Sequence, residues 1–146
     1  MKALTLKHPW PWAICCMGKR IENRTWSPSL RIGERFAIHG GKFPKGYDLL
    51  DVADIATQLL GIHGIPKGVK DVVLADVIMA GIVATAVFGG ILYHSDDPWF
   101  EGPKGWVLRD VIVLPEPIPC RGAQGLWDVP RPMEVYHPRC LPSQGS

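Results

Sequence analysis

Glycine and proline interrupt this sequence so often that long regular elements have little room: 16 Gly and 14 Pro stand among 146 residues. Proline fixes φ and removes a backbone donor, and glycine weakens the interior of a helix or strand. The chain therefore favours short segments and turns over a helical bundle. Its length suits one domain with a proper core. A hydrophobic fraction of 47% with 21% charged residues is that of an ordinary globular chain and argues against wholesale disorder. The net charge of +2, from 16 Lys+Arg and 14 Asp+Glu, is too small in bulk to identify a polyanionic partner.

The cysteines are Cys15, Cys16, Cys120 and Cys140, with neither a CxxC pair nor zinc spacing. They read as reduced thiols of a cytoplasmic protein. Lys2 and Lys7 bracket a short, weakly apolar start, so no secretory leader is expected. Val72–Leu92 is interrupted only by Asp76, but its glycines and its Val and Ile content suit a buried strand better than a membrane helix.

Alternating polarity predicts strands at Ala3–Lys7 and Arg31–His39. Pro9 and Pro11 suit the start of a helix over Trp12–Met17, which Gly18 closes in a left-handed conformation. Tyr47–Leu60 reads as a longer helix, with Leu49, Leu50, Val52, Ala53, Ile55, Ala56, Leu59 and Leu60 on its apolar face. Asp48, Asp51 and Asp54 lie toward its positive end, and Gly61 is the expected stop. Residues 62–71 read as loop, and 72–79 as either a short helix or a strand.

Further strands are expected at Gly81–Phe88, at Ile91–Tyr93 after a Gly-Gly break, at Trp106–Leu114 and at Leu126–Val129. Ser95–Gly105 reads as a loop, and Pro115–Pro119 as extended chain outside a ladder. Five or six short strands with two or three helices, not in regular alternation, predict an α+β fold with a small curled or barrel-like sheet. They argue against a doubly wound parallel sheet. Residues 1–130 make the domain, and the proline-bearing stretch 131–146 an irregular tail.

The chemistry concentrates in His8-Pro9-Trp10-Pro11-Trp12 and in the run from Gly18 to Trp26. If 21–26 is extended, Glu22, Arg24 and Trp26 share one face. Lys19 and Arg24 offer cations to an anionic group, and only the arginine can bind bidentately. Glu22 can hold either cation or accept from a base edge, and Trp26 offers a stacking surface. The same residues also fit a solvated ion pair beside core tryptophans, and spacing alone leaves both arrangements open.

The segment HPWPWAICCMGKRIENRTW resembles the opening motif of the ASCH domain family, approximately G-x-K-x-x-E-x-R behind a Pro-Trp helix. Lys19, Glu22 and Arg24 fill the motif positions, with Pro9-Trp10 at the matching distance upstream. Met17 stands where the family has its glycine. The likeness continues through Arg35–His39, Gly81–Val87, Gly105–Leu108, Cys120–Gly122 and Gly125–Trp127, and covers residues 2–130. It implies a PUA-like fold, a small β-barrel flanked by helices, with a cleft lined by the motif and a role in binding RNA or a nucleotide. No cofactor, metal or membrane is implied.

Some relatives are hydrolases: one branch deacylates N4-acetylcytidine with a Lys, a Thr and a Glu, and ribonuclease activity is attributed to others. The alternative expectation is therefore a small hydrolase with Lys19 and Glu22 catalytic, although the deacylase threonine position is Glu22 here. A protein-interaction module without chemistry is the third class. Trp10 is an expected apolar wall, and His8 a possible acid–base partner of Lys19. His39 lines the cleft or bonds to backbone at its strand end, and Arg121 is a candidate phosphate contact. Trp99 and Phe100 either stack a base or cap the barrel.

Overall fold

A computed structural model describes residues 1–133. Most of the expected tail, including Cys140, lies outside the described residues. The elements are β1 (Lys2–Leu6), α1 (Trp10–Cys16), β2 (Ile21–Arg24), β3 (Arg35–Gly40), α2 (Tyr47–His63), a 3-10 turn at Leu74–Val77, β4 (Gly81–Leu92), β5 (Lys104–Ile118) and β6 (Leu126–Asp128). The fold is α+β, as expected. One six-stranded sheet runs β2-β5-β4-β3-β1-β6. β1 and β3 pair in parallel and the other neighbours are antiparallel.

The sheet is strongly curled. β2 and β1 are separated by three strands, which in a flat sheet would hold them ~19 Å apart at ~4.8 Å per step. Instead the Arg24 guanidinium donates to the Thr5 carbonyl at 3.4 Å. The gap between β2 and β1 is thus a seam, bridged by a side chain rather than by a backbone ladder. The concave face holds one apolar cluster drawn from β1, β3, β4 and β5: Leu4, Leu6, Phe36, Ile38, Phe88, Trp106 and Leu108. The opposite face of β1 and β3 carries Ala3 and Ala37, covered by Ile118, Val129 and Met133. A third cluster, with Trp12, Ile21, Val52, Ala56, Leu59, Val77 and Trp99, fastens the helices to the outside of β2.

Several boundaries move from their sequence expectation for identifiable reasons. α2 runs through Gly61 and ends at Gly64, which takes φ +81° while its amide bonds to the Leu60 carbonyl. A helical glycine costs only about 1 kcal/mol, so the left-handed site rather than the first glycine sets the end. Its buried stripe is narrower than expected, Val52, Ala56 and Leu59, and Leu50 is exposed. Residues 31–34 form a turn, closed by the Glu34 amide on the Arg31 carbonyl, so β3 starts only at Arg35. The Gly89-Gly90 pair does not break β4 but sits in a register shift between Phe88 and Ile91. Pro115 and Pro117 belong to β5, in the irregular stretch between the Ala84–Val113 and Ile82–Ile118 pairs, where no ladder donor is required. Among the described residues no helix is long and apolar enough to cross a membrane.

Candidate functional site

The site begins with the end of α1. Gly18 adopts φ +73°, and the Lys19 amide folds back onto the Ala13 carbonyl at 3.1 Å. This closure fixes the Lys19 backbone and turns the chain into β2. β2 pairs with β5 so that Glu22 lies opposite Trp106 on the concave face. Strand alternation sends Arg24 to the same face.

Lys19 is 1% exposed and Glu22 6%. The Lys19 ammonium donates to the Ile21 carbonyl and to Glu22 Oε1, the latter at 3.4 Å, and lies 5.5 Å from the centre of the Trp10 ring. Glu22 Oε2 accepts from Arg24 Nε at 2.9 Å. One carboxylate therefore sits between two cations, in the order Lys19, Glu22, Arg24 from the interior outward. Burial pulls the Lys19 pKa below its usual value, and the Glu22 carboxylate opposes that shift. Arg24 is the solvent-facing member, with its side chain 26% exposed. Its Nη2 caps Thr5, whose carbonyl extends past the last β1–β6 pair at Leu4.

Trp26 lies just past β2, edge-on to Trp106 at 4.9 Å between ring centres, and its carbonyl accepts the Trp106 indole N–H. The two part-buried tryptophans, Trp10 and Trp26, flank the charged row. Asn23, pointing to the other face, holds the neighbouring loop. Its amide donates to the Trp99 carbonyl at 2.9 Å, and its Oδ1 accepts from the amides of Glu101 and Gly102.

His39 is on the opposite face of the sheet from Glu22 and does not join the row. The Trp127 indole donates to Thr5 Oγ1 at 2.9 Å, the Thr5 hydroxyl donates to His39 Nδ1 at 3.1 Å, and His39 Nε2 donates to the Cys120 carbonyl at 2.8 Å. Gly122 closes over this chain: a Cβ there would overlap Thr5 Oγ1 and lie 2.7 Å from His39 Cε1. Both ring nitrogens are used, in an arrangement that the neutral imidazole with its proton on Nε2 satisfies. Burial, first, lowers the His39 pKa from 6.5, opposed by the Cys120 bond, while His8 adds to the lowering.

In the window below 6.5 the unfolded chain then binds the proton that the folded chain refuses, so stability falls as pH falls. Denaturation midpoints are expected to drop from pH 7.5 to 5, with a slope of at most about 1.4 kcal/mol per pH unit for one proton. His39→Gln should flatten that slope. A midpoint that is flat over the range in the parent protein would contradict the neutral buried imidazole.

His8 is structural as well. Its Nε2 donates to the Gly41 carbonyl at 2.8 Å and its Nδ1 accepts from the Met79 amide, so neither nitrogen faces Lys19. Arg121 is exposed, next to Gly122 on the convex side of the seam. Trp99 stacks on His63, ring centres 3.8 Å apart and 7° from parallel, and is buried with the helix cluster, so it caps rather than offers a base platform. The structure thus brings together Lys19, Glu22, Arg24, Trp10 and Trp26, and sets His8, His39 and Arg121 apart from that row. Sequence reasoning missed Thr5 and Asn23. Asn23 carried a signal, as a polar residue inside the motif on the face opposite Glu22; Thr5 carried none for the charged row, because there it acts through its backbone carbonyl while its hydroxyl serves His39 on the other face. Burial pushes the Cys15 thiol up to about 12, which leaves it without nucleophilic character.

The sequence matches no known family profile and no curated protein sequence.

Proposed function

We propose that the protein is an ASCH-type, PUA-like domain that binds RNA or a nucleotide at the β1–β2 seam, with Arg24 as the ligand-facing cation. The observation that carries this reading is the charge row itself: two cations share one buried carboxylate, leaving one unit of positive charge directed outward through Arg24. Glu22 occupies Arg24 Nε and the Thr5 carbonyl one N–H of Nη2, and the guanidinium N–H groups left over suit a phosphate or a base carbonyl. Trp10 and Trp26 on either side supply apolar walls. Lys19 is a positioning residue, because its ammonium is sealed inside and committed to Ile21, Glu22 and the Trp10 face.

Arg24→Gln is expected to weaken binding of a short single-stranded RNA about 10- to 100-fold, the worth of one or two charge-assisted hydrogen bonds. Fluorescence anisotropy with a labelled 12-mer measures it. Arg109→Gln on β5, three residues past Trp106 and ~10 Å along the strand, should leave the affinity unchanged. Equal loss in both variants would contradict a site at the seam.

The second reading, a small hydrolase acting on RNA or a modified nucleoside, draws on the lowered Lys19 pKa, which is what a general base needs. It requires substrate to reach an ammonium that is 1% exposed. Incubation with RNA or N4-acetylcytidine separates the two: product that accumulates with enzyme concentration and disappears in Lys19→Met favours the hydrolase.

A further inference from the structure

We propose that Arg24 is one end of a longer basic track that binds a single-stranded polynucleotide, with Lys7, Lys42 and Arg121 contacting further phosphates. This rests on the binding role proposed above for Arg24, and extends it from one anionic group to a polymer.

Four segments distant in sequence meet at the end of β1. Arg24 of β2 donates to the Thr5 carbonyl. The Gly41 amide bonds to the Leu6 carbonyl at 3.2 Å, and the Gly41 carbonyl accepts from His8, which places Lys42 one residue from β1. Gly122 lies against Thr5 and His39, which places Arg121 at the same spot from the convex side. Lys7 follows directly on β1, two residues or at most ~7.6 Å of Cα path from Thr5. Lys7, Lys42 and Arg121 are exposed, and among the described residues none of them forms an ion pair. At the other end of the same strand Lys2 is paired with Asp128 at 3.0 Å. Glu22 is already spent on Lys19 and Arg24, and Glu101 acts on the buried Lys19 rather than on the exposed cations.

Cations spread across both sides of the seam exceed what one phosphate can use, and they suit a chain of phosphates. Aromatic side chains lie on both sides of the seam. Trp10 and Trp26 stand on the β2 side, and Phe43, 57% exposed, follows Lys42 on the β3 side. Cations beside aromatic rings, one of them exposed and two part-buried, suit sequence-tolerant recognition of an unpaired strand, since every base has a face to stack. An acidic polypeptide would use the cations but not the rings.

The test compares a fluorescein-labelled 12-mer RNA with CMP, in the parent protein, in Lys42→Gln/Arg121→Gln and in Arg24→Gln, at several salt concentrations. CMP binding is followed by tryptophan fluorescence. The 12-mer should bind at least tenfold more tightly than CMP. The double variant should lose about tenfold in 12-mer affinity, and the slope of log K against log salt should fall by about 1.4, at ~0.7 per phosphate contact on a single strand. Its CMP affinity should stay within about twofold, whereas Arg24→Gln should weaken both ligands. An unchanged salt slope in the double variant, or a 12-mer no tighter than CMP, overturns the track while leaving the Arg24 site standing. Failure of both ligands to bind overturns the site and the track together. Equal affinity for a polyglutamate peptide overturns the polynucleotide assignment in favour of a general polyanion surface. The substituted residues are exposed, so an unchanged thermal midpoint checks that the fold is intact.

Discussion

Glu22→Gln is expected to destabilise the protein by about 3–5 kcal/mol, because it removes one partner from a buried ion pair and leaves the other charge uncompensated. Lys19 cannot move out to water: the α1 closure fixes its backbone, and its ammonium sits beneath the Trp10 ring. A glutamine offers one acceptor oxygen where the carboxylate offers two, so the bonds from Lys19 and Arg24 Nε cannot both be kept. The loss has a pH signature that simple packing damage lacks. In the parent protein Glu22 opposes the effect of burial on Lys19, so its removal lets the Lys19 pKa fall further below 10.5. Between that lowered value and 10.5 the unfolded chain holds a proton that the folded chain has shed, so stability of the variant should climb with rising pH, and more steeply than in the parent. The double variant Lys19→Met/Glu22→Gln should recover part of the loss, since no buried charge remains. Urea unfolding from pH 7 to 10 measures all of these. A loss below about 1 kcal/mol, with no pH slope and no recovery, would mean that the row is not a coupled buried unit.

Gly40→Ala is expected to cost more than about 3 kcal/mol and to leave little folded protein at 37 °C, at the severe end of overpacking effects. A Cβ at position 40 would overlap the Met79 carbonyl oxygen and stand 3.1 Å from His8 Cε1. Backbone cannot rotate away as a side-chain tip can, so the end of β3 must part from the segment entering β4. His8 bonds to both sides of that contact, through the Gly41 carbonyl and the Met79 amide, and α1 starts two residues later. Damage at Gly40 therefore passes into the helix that presents Lys19. Circular dichroism melting reads the effect, with Gly41→Ala as the comparison, because a Cβ there meets its nearest neighbours at an ordinary 3.7 Å. Equal melting of the two variants would contradict the close approach.

The sequence carried the local logic well and the three-dimensional closure poorly. Gly18 announced the end of α1, and the two-residue period placed Glu22 and Arg24 on one face; both follow from backbone geometry within a few residues. α2 was legible as a helix, but Gly61 misplaced its end, since only the positive φ at Gly64 distinguishes a terminating glycine from a tolerated one. The Gly89-Gly90 pair looked like a strand break because sequence does not show that β5 continues alongside and absorbs the shift. For the site, the order of burial was hidden. Lys19 and Arg24 read alike in the sequence, as cations for a ligand or as members of a solvated ion pair, and Lys19 becomes the sealed member because Trp10 and β2 close over it. His39 reads as either a cleft residue or a strand-end histidine bonded to backbone, and its strand parity gives it the second place, on the opposite face against Thr5 and the Cys120 carbonyl. The seam depends on curvature of the whole sheet, and no window of residues encodes that.

The central claim is that the seam binds its ligand through Arg24, with Lys19 and Glu22 as buried support. The most direct measurement is a nitrogen-resolved NMR titration with the 12-mer RNA, following Arg24 Nε–H and the indole N–H of Trp10. Both signals should shift saturably with one common midpoint, while the Nε–H of Arg109 on β5, away from the seam, moves little. Saturable binding that leaves Arg24 Nε–H and the Trp10 indole in place, or an RNA excess that shifts no signal at all, would contradict the account.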